Sequence, residues 1–241
     1  MKLVVIGDIH GRDIWKQIIA KEQDADEFVF VGDYFDSFRI KGPDQINNFL
    51  DIIEFKKQSK VPVILLIGNH DYHYINSSET YSGFQHGASS AINFLLYENR
   101  KHLQMCYQMG DFLFTHAGVS YDWLKINKWE GWESVEEKVN DLWEYTPNAF
   151  AFAGRDPYGD STISSPIWIR PHSLQKANRD TLRDQFIQVV GHTTQGKIDT
   201  EGKSTGGRYY YIDTLGTSGE YMILEQTSMD NGEIKFNTYK R

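Results

Sequence analysis

Three short apolar runs near the start of the chain each end abruptly in a glycine that is followed by polar residues. The runs and the residues after them are Val4–Ile6 with Gly7-Asp8-Ile9-His10-Gly11, Phe28–Val31 with Gly32-Asp33-Tyr34-Phe35-Asp36, and Val63–Ile67 with Gly68-Asn69-His70-Asp71. Uninterrupted apolar runs of this length are typical of buried β-strands, and the glycines mark tight turns after them. One such ending is an ordinary turn, but three in succession indicate a binding site.

The segments between these runs have the spacing of amphipathic helices. Arg12–Gln23 carries apolar residues at helical intervals, and Pro43 can open a second helix because its missing N–H is not needed in the first turn. With strands at Val4–Ile6, Glu27–Val31 and Val61–Ile67, the order β-α-β-α-β predicts a parallel sheet with right-handed crossovers. The carboxyl ends of such strands form the ligand-binding edge of open α/β sheets.

The rest of the chain alternates between helical and strand-like patterns. Residues 72–87 are polar and predict a long loop over the site, Ala88–Asn99 predicts a helix, and Ser134–Trp143 predicts another helix capped by Ser134. The predicted strands of this part are Gln104–Gln108, Phe112–Thr115, Gln188–Gly191, Tyr209–Asp213, Glu220–Glu225 and Ile234–Tyr239. We therefore expect an α/β fold, α+β in some schemes, with two mixed sheets packed face to face and helices outside. We expect residues 1–241 to form a single domain.

Residues 119–168 differ from the rest of the chain, because they contain five of the six tryptophans. Two interpretations of this aromatic segment remain open. Its side chains can belong to a packed core, or the segment can form a cap that shapes a substrate cleft.

Composition and charge narrow the classes of partner. The chain has 241 residues, a formal net charge of −8 and no basic block, which argues against an extended nucleic-acid surface. Its single cysteine, Cys106, excludes an internal disulfide and a cysteine-based zinc site. The sequence shows no signal peptide and no apolar run of membrane-spanning length, so we expect a cytoplasmic protein without a membrane partner. The oligomeric state has no signature in the sequence.

Two further histidines follow predicted strands, in His116-Ala117-Gly118 and in Gly191-His192-Thr193. Asp, His and Asn side chains without cysteine suit Mn²⁺, Fe or Zn²⁺. With Gly-Asp-x-His-Gly, Gly-Asp-x-x-Asp and Gly-Asn-His-Asp, these motifs have the order found in the calcineurin-like metallophosphoesterases. The chain resembles this family over roughly residues 3–216. Within the family it is most similar to small phage and bacterial members of the serine/threonine phosphoprotein phosphatase branch.

The resemblance implies an αββα sandwich that holds two divalent metal ions, with Mn expected first and Fe or Zn as alternatives. The ligands it implies are Asp8, His10 and Asp33 for one metal and Asp33, Asn69, His116 and His192 for the other, with Asp33 as the bridge. It further implies that His70, paired with Asp36, is the general acid. Arg170 lies where small phosphatases place a phosphate-binding arginine.

The sequence also departs from the phosphatase branch in two places. Ser37 and Phe38 follow Asp36 where that branch has Arg-Gly, and Arg39 comes three residues after Asp36. The phosphatase branch has Gly-Asn-His-Glu where this chain has Gly-Asn-His-Asp, and many other branches of the family use Gly-Asn-His-Asp. A second phosphate-binding arginine and the branch assignment are therefore left open.

The activity implied is hydrolysis of a phosphomonoester, a phosphoprotein or a small phosphate ester, by direct attack of a metal-bridging hydroxide. The alternatives are a dinucleoside polyphosphate or nucleotide hydrolase, a metal-dependent phosphodiesterase, and a metal-binding scaffold without turnover. The remaining histidines are interpreted as surface or loop residues, namely His73, His86, His102 and His172, with His73 and His86 as candidates for the cleft. Arg155 competes with Arg170 for phosphate, although a loop salt bridge is the favoured interpretation.

Overall fold

The protein is described by a computed structural model that covers residues 1–76, 80–152, 160–199, 203–226 and 234–239. The strands in this part of the chain are β1 Lys2–Ile6, β2 Glu27–Phe30, β3 Val63–Leu65, β4 Cys106–Met109, β5 Phe112–Thr115, β6 Ile187–Val190, β7 Tyr209–Tyr211, β8 Tyr221–Gln226 and β9 Ile234–Tyr239. The α-helices are α1 Ile14–Lys21, α2 Gly42–Gln58, α3 Asn69–Ile75, α4 Ser89–Glu98, α5 Tyr121–Ile126, α6 Val135–Tyr145 and α7 Pro171–Asn178. Short 3₁₀ turns lie at His86–Ala88, Arg100–His102, Pro147–Phe150 and Leu182–Asp184.

The strands form two mixed sheets, as predicted. The first has the order β3-β2-β1-β8-β9, with β1, β2 and β3 parallel and β8 antiparallel to β1. The second has the order β4-β5-β6-β7, in which β5, β6 and β7 are parallel and β4 is the antiparallel partner of β5. The carboxyl ends of the parallel strands of both sheets therefore supply the loops of one site.

Alternating residues of β1 show how the two sheets pack. Leu3 and Val5 lie in an apolar cluster with Phe112 and Phe114 of the second sheet. Val4 and Ile6 point the other way and pack with side chains of the helices on the outer face. This alternation is the period of two expected for a strand with both faces buried. It produces the sheet-on-sheet arrangement with helices outside.

The aromatic segment contributes mainly to the core. Trp123, Trp143 and Phe150 are almost fully buried in the cluster beneath the helices. Trp132 and Tyr145 are exposed, at 79% and 80%. The packed-core interpretation therefore holds for most of the segment. It also contains helix α5, which lies outside the one helix predicted for this segment, Ser134–Trp143.

The prediction of one long loop over residues 72–87 is wrong for its first part. Helix α3 runs through these residues from Asn69 to Ile75. Asp71 anchors its first turn, because its carboxylate accepts hydrogen bonds from the N–H groups of Gly68 at 2.9 Å and Tyr34 at 2.8 Å. Tyr72 and Tyr74 are buried. Because tyrosine carries a polar hydroxyl, the sequence pattern did not reveal that these residues form one apolar side of a helix.

Among the described residues, no helix has the length and apolar character needed to cross a membrane.

Candidate metal centre

The metal-type side chains lie where parallel strands of both sheets end. Asp8 follows β1, Asp33 follows β2 and Asn69 opens the helix after β3; His116 and His192 follow β5 and β6. All five are buried or nearly so. The strand-end pattern of the sequence therefore corresponds to one cluster in space.

Several residues of this cluster adopt a backbone conformation that non-glycine residues rarely use. The φ angles are 43° at His10, 53° at Asp33, 67° at Asp36 and 64° at His192. Each such residue costs about 1–3 kcal/mol and persists only where its surroundings hold it, which is common at functional sites. The backbone is therefore strained at the positions whose side chains form the polar cluster.

Two glycines make room for the carboxylates. A Cβ on Gly68 would lie 2.0 Å from Oδ1 of Asp33, and a Cβ on Gly191 would lie 1.9 Å from Oδ1 of Asp8. Neither contact is sterically allowed, so any side chain there would displace a carboxylate. The glycine before Asn69 and the glycine before His192 therefore serve the neighbouring strand ends as well as their own turns.

Backbone carbonyls fix the orientation of three histidine rings. Nδ1 of His10 lies 2.6 Å from the carbonyl oxygen of Phe35, and Nδ1 of His116 lies 2.8 Å from that of Val31. Nε2 of His192 lies 3.1 Å from the carbonyl oxygen of Trp168. A carbonyl can only accept, so each of these nitrogens carries the proton. The opposite nitrogen of each neutral ring then presents a lone pair, as in histidine ligands of metal sites.

These lone pairs converge on oxygen acceptors. Nε2 of His116 lies 3.0 Å from Oδ1 of Asn69 and 3.3 Å from Oδ2 of Asp33. Nδ1 of His192 lies 2.9 Å from the same Asn69 oxygen. Acceptors that face one another at these distances repel unless a proton or a cation lies between them. A mixed set of imidazole nitrogen and hard oxygen donors fits a borderline divalent cation such as Mn²⁺, Fe²⁺ or Zn²⁺.

The electrostatics of the histidines agree with this assignment. Burial lowers the pKa of His10, although Asp33 opposes the effect. Burial also lowers the pKa of His192 well below its ordinary value, and His116 and Arg170 add to the effect. Both rings are therefore held in the uncharged form that binds metals.

The two buried aspartates, Asp8 and Asp33, need nearby positive charge to remain ionised. Burial raises the pKa of Asp8 well above its ordinary value, and the like charges of Asp213 and Asp33 add to the effect. Burial would also raise the pKa of Asp33, but His116 and His70 hold it well below the ordinary value. Bound cations would stabilise both groups as carboxylates. Asp8, His10 and Asp33 bring their donor atoms within 4.8 Å of one another, as a metal triad requires.

His70 is held beside this cluster by two aspartates. Its backbone N–H donates to Oδ1 of Asp33 at 2.9 Å, and its Nδ1 lies 2.8 Å from Oδ2 of Asp36. The hydroxyl of Tyr74 donates to Oδ1 of Asp36. Burial alone would lower the pKa of His70, but Asp33 and Asp36 together raise it to about 9. With Nδ1 bonded to Asp36, the ring has its Nε2 left for the cleft that His70 lines.

The interpretation of His73 as a surface or loop residue is wrong, because it is buried on α3 and 1% exposed. Its Nε2 lies 2.7 Å from Oδ2 of Asp36, out of line for a good hydrogen bond but at ion-pair distance. The N–H of Tyr81 donates to Nδ1 at 3.3 Å, which leaves the proton on the nitrogen that faces Asp36. The spacing of three residues from His70 was the available signal, since it places both rings on one side of a helix.

Comparison with known proteins identifies the family. Residues 1–196 match the calcineurin-like phosphoesterases. The chain belongs to this family. Its fold is similar to that of a cold-active protein-tyrosine phosphatase of a psychrophilic Shewanella species, with a TM-score of 0.68 and 18% identity over 99% of this chain and 80% of that chain. A protein serine/threonine phosphatase from Saccharomyces cerevisiae gives a TM-score of 0.57 and 15% identity over 100% of this chain and 80% of that chain.

At these identities the two structures support the fold alone. No curated protein sequence matches the chain. The family match nevertheless establishes a metal-dependent phosphoesterase, and the donor groups described above are those that such an enzyme needs.

A phosphoesterase also needs cationic groups for the phosphate, and two arginines border the cluster of metal-type side chains. Nη1 of Arg170 donates to the carbonyl of His192 and to Oγ1 of Thr193, both at 3.2 Å. Burial lowers the pKa of Arg170, while Asp33 and other carboxylates oppose the effect. Arg12 was not considered as a site residue from the sequence, although it directly follows Gly-Asp-x-His-Gly. Its Nη1 donates to the carbonyl of Ile9 at 3.2 Å.

A cleft of 460 Å³ opens beside these groups. The residues that line it include His10, Arg12, Phe38, Arg39, His70 and Asp213. Arg39 is exposed on the rim of this cleft, where it has no fixed contact with the metal cluster. Arg155 lies outside the described residues. The cleft gives a phosphate ester access to His70 and to the adjacent metal-type donors.

All nine residues predicted for the site lie in this region. They are Asp8, His10, Asp33, Asp36, Asn69, His70, His116, Arg170 and His192. Their individual roles as metal ligand, general acid or phosphate-binding group remain predictions.

Proposed function

We propose that the protein is a two-metal phosphomonoester hydrolase that resembles serine/threonine protein phosphatases in its mechanism. One observation carries the proposal. The ring nitrogens of His116 and His192 that face away from the backbone carbonyls both lie near Asn69 Oδ1, at 3.0 and 2.9 Å, an arrangement that a shared cation would stabilise. The second group of donors, Asp8, His10 and Asp33, shares Asp33 with the first and supports a dinuclear centre. Manganese is the metal we expect.

Two divalent cations would polarise the phosphoryl group and supply a nucleophilic water at neutral pH. The protein's own contribution is to hold the donors in place. The backbone carbonyls of Val31, Phe35 and Trp168 accept hydrogen bonds from the ligand rings, and the opposite ring nitrogens are thereby directed inward. Asp33, with Oδ1 bound by the N–H of His70, has Oδ2 directed toward His116 and His10, the geometry of a bridging carboxylate.

His70 is proposed to protonate the leaving oxygen. Asp36 bonds its Nδ1, so the proton to be transferred resides on Nε2. A positioned acid of this kind contributes roughly 10²- to 10⁴-fold to a rate. Arg170 and Arg12 are proposed to bind the phosphate oxygens, since a guanidinium offers paired N–H donors that match them.

The substrate class has a second candidate. The buried tryptophans of the aromatic segment cannot stack on a nucleotide base. Phe38, however, lines the cleft and is 81% exposed. This ring keeps a dinucleoside polyphosphate or nucleotide hydrolase as the second candidate function, since base stacking on an exposed aromatic ring contributes about 1–3 kcal/mol.

A substrate panel with Mn²⁺-loaded protein tests the proposal. It should contain phosphoserine and phosphotyrosine peptides, a dinucleoside polyphosphate and a bis-nitrophenyl phosphodiester. We expect the phosphomonoesters to have the highest kcat/KM. Metal analysis should give two ions per chain and fewer than one in Asp33→Asn, the shared ligand. A preference of tenfold or more for the dinucleoside polyphosphate would select the second candidate, and a single bound ion would refute the two-metal mechanism.

A further inference from the structure

Helix α7 begins beside the candidate metal centre, and one of its exposed faces is basic. Arg170 is the N-cap residue of α7 and contacts His192. His172, Lys176 and Arg179 follow at intervals of four and three residues, which places them along one side of a helix. All three are exposed. Arg183 lies in the 3₁₀ turn Leu182–Asp184 that follows α7. We call His172, Lys176, Arg179 and Arg183 the basic face.

The basic face borders a cavity of 590 Å³ that is separate from the cleft. Lys176, Arg179 and Arg183 line the cavity, and Asp180 is the acidic residue in its lining. In the part of the chain that the structure describes, none of these three cations forms an ion pair. The lining of this cavity is thus positively charged in a chain whose net charge is −8. This local charge is complementary to an anionic occupant.

A buried hydroxyl lines the same cavity. Tyr209 is 3% exposed, and its hydroxyl has no well-formed hydrogen bond among the described residues. The neighbouring Asn178 is placed to donate to the Tyr209 oxygen, which leaves the hydroxyl proton of Tyr209 without an acceptor among the described residues. Buried hydroxyls without a partner are rare and indicate a missing ligand or water. Here a donor is available for an oxygen acceptor.

We propose that the basic face binds acidic side chains that flank the phosphorylated residue of a protein substrate. The proposal rests on the proposed phosphatase function and specifies its substrate. The cations are spread along the helix instead of forming one compact nest, which suits a continuous acidic segment better than a single free anion. Helix α7 also starts at Arg170 beside the metal centre, so a peptide whose phosphate group lies there could extend along the helix to the basic face.

The helix geometry gives the expected spacing. Lys176 and Arg179 lie six and nine residues after Arg170 in sequence, which corresponds to roughly 9–14 Å along the helix axis. An extended peptide spans that distance in about three or four residues. Acidic side chains three and four residues from the phosphorylated residue should therefore reach Lys176 and Arg179.

A pair of phosphoserine peptides tests this proposal. One carries glutamates three and four residues from the phosphoserine on both sides, and the other carries glutamines there. The wild-type enzyme should prefer the glutamate peptide by about three- to tenfold in kcat/KM, through KM, as expected for two or three exposed ion pairs. The preference should decrease at high salt. Lys176→Glu combined with Arg179→Glu should abolish it and leave p-nitrophenyl phosphate hydrolysis unchanged.

A matched variant controls for net charge. Lys57→Glu combined with Lys101→Glu reverses two exposed lysines outside the basic face and changes the total charge equally. This variant should retain the preference. If it loses the preference to the same extent, or if the Lys176/Arg179 variant keeps it, the basic face does not recognise acidic residues.

Binding of a fluorescent, unphosphorylated acidic peptide separates this inference from the proposed function. Binding to the wild type and loss of binding in the Lys176/Arg179 variant support the basic face, even if no phosphopeptide is hydrolysed and the protein-phosphatase proposal fails. Hydrolysis of both peptides at equal rates, without binding of the acidic peptide, overturns the basic-face proposal and leaves the phosphatase proposal intact.

Discussion

At the scale of single residues, His70 combines two features that a general acid needs. Its Nδ1 is bonded to Asp36 and its pKa is raised to about 9, with Asp33 and Asp36 outweighing the effect of burial. His70→Asn should slow hydrolysis of alkyl phosphates by roughly 10²- to 10⁴-fold. The loss should be much smaller for p-nitrophenyl phosphate, whose leaving group needs little protonation. Equal losses for the two substrates, with unchanged metal content, would contradict the acid role.

The partners of Asp36 form a second, separable prediction. His73 and Tyr74 both contact this carboxylate, so they fix its position without reaching the cleft themselves. His73→Ala should lower kcat for alkyl phosphates by about tenfold. This is less than the effect of losing His70, because His73 acts on His70 only through Asp36. His73→Gln, whose amide N–H can still approach Asp36, should restore much of the rate.

The readout that identifies positioning is again the leaving group. If His73→Ala lowers kcat equally for alkyl and p-nitrophenyl phosphates, the residue supports the fold of α3 and does not orient the acid. Tyr74→Phe offers an independent variant, because it removes only the hydroxyl that donates to Asp36.

Arg170 can be distinguished from Arg39 by the binding of inorganic phosphate. Arg170 contacts His192 and Thr193 next to the metal-type donors, whereas Arg39 is exposed at the rim. Arg170→Ala should weaken inhibition by phosphate by about tenfold or more, in line with loss of a charge-assisted hydrogen bond. Arg39→Ala should change it by less than about threefold. The reverse order would transfer the phosphate-binding role to Arg39. Metal content, measured alongside, should be unchanged in both variants.

At the scale of strands and helices, the site depends on close approach between neighbouring strand ends. Gly191→Ala would place a methyl group 1.9 Å from Oδ1 of Asp8. We expect the Asp8 carboxylate to move, with at least a tenfold loss of Mn²⁺ affinity by calorimetry and a loss of about 1–3 kcal/mol in stability. Gly196→Ala is the matched control, because a Cβ there would meet no atom within 4 Å. Unchanged Mn²⁺ affinity in Gly191→Ala would show that Asp8 is not a ligand.

The same elements show what could be predicted from the sequence. The strands that end at Asp8, Asp33 and Asn69 were predictable, because buried parallel strands leave continuous apolar runs and their carboxyl ends must meet. The contacts that site residues make with distant parts of the chain were harder to predict. The engagement of His116 with Val31 and of His192 with Trp168 joins segments far apart in sequence, and no local pattern encodes such contacts.

The errors have a physical origin as well. The last part of helix α3 was predicted as a loop because tyrosine and histidine count as polar residues in the sequence pattern. In the structure, Tyr72, His73 and Tyr74 are buried as hydrogen-bonded aromatic rings. A polar side chain whose hydroxyl or ring nitrogen finds a partner can be buried without loss. Asp36 supplies that partner for Tyr74. The contact that satisfies Tyr74 in the core is therefore also one that holds Asp36 beside His70.

At the scale of the whole molecule, a hydrogen bond joins the two sheets. The hydroxyl of Tyr107 on β4 donates to Oε2 of Glu27 on β2 at 2.9 Å. Glu27 is buried, and within the described residues no cation pairs with it. Burial raises the pKa of Glu27 above its ordinary value of 4.5, although the bond from Tyr107 opposes the effect. The folded protein therefore holds this proton more tightly than the unfolded chain does.

The sign of the pH dependence follows from that difference. At a pH below 4.5 the carboxyl group is protonated in both states and has no net effect. As the pH rises through 4.5 and then through the higher folded-state pKa, the unfolded chain ionises first, and Glu27 becomes destabilising. Glu27→Gln should consequently raise the free energy of unfolding at pH 7 and have little effect at pH 4, measured by urea denaturation at both values. A gain that is equal at the two pH values would reflect packing of the amide instead of removal of a buried charge. Tyr107→Phe should act in the opposite direction at pH 7, by about 1–3 kcal/mol, because it leaves the buried carboxylate without its donor.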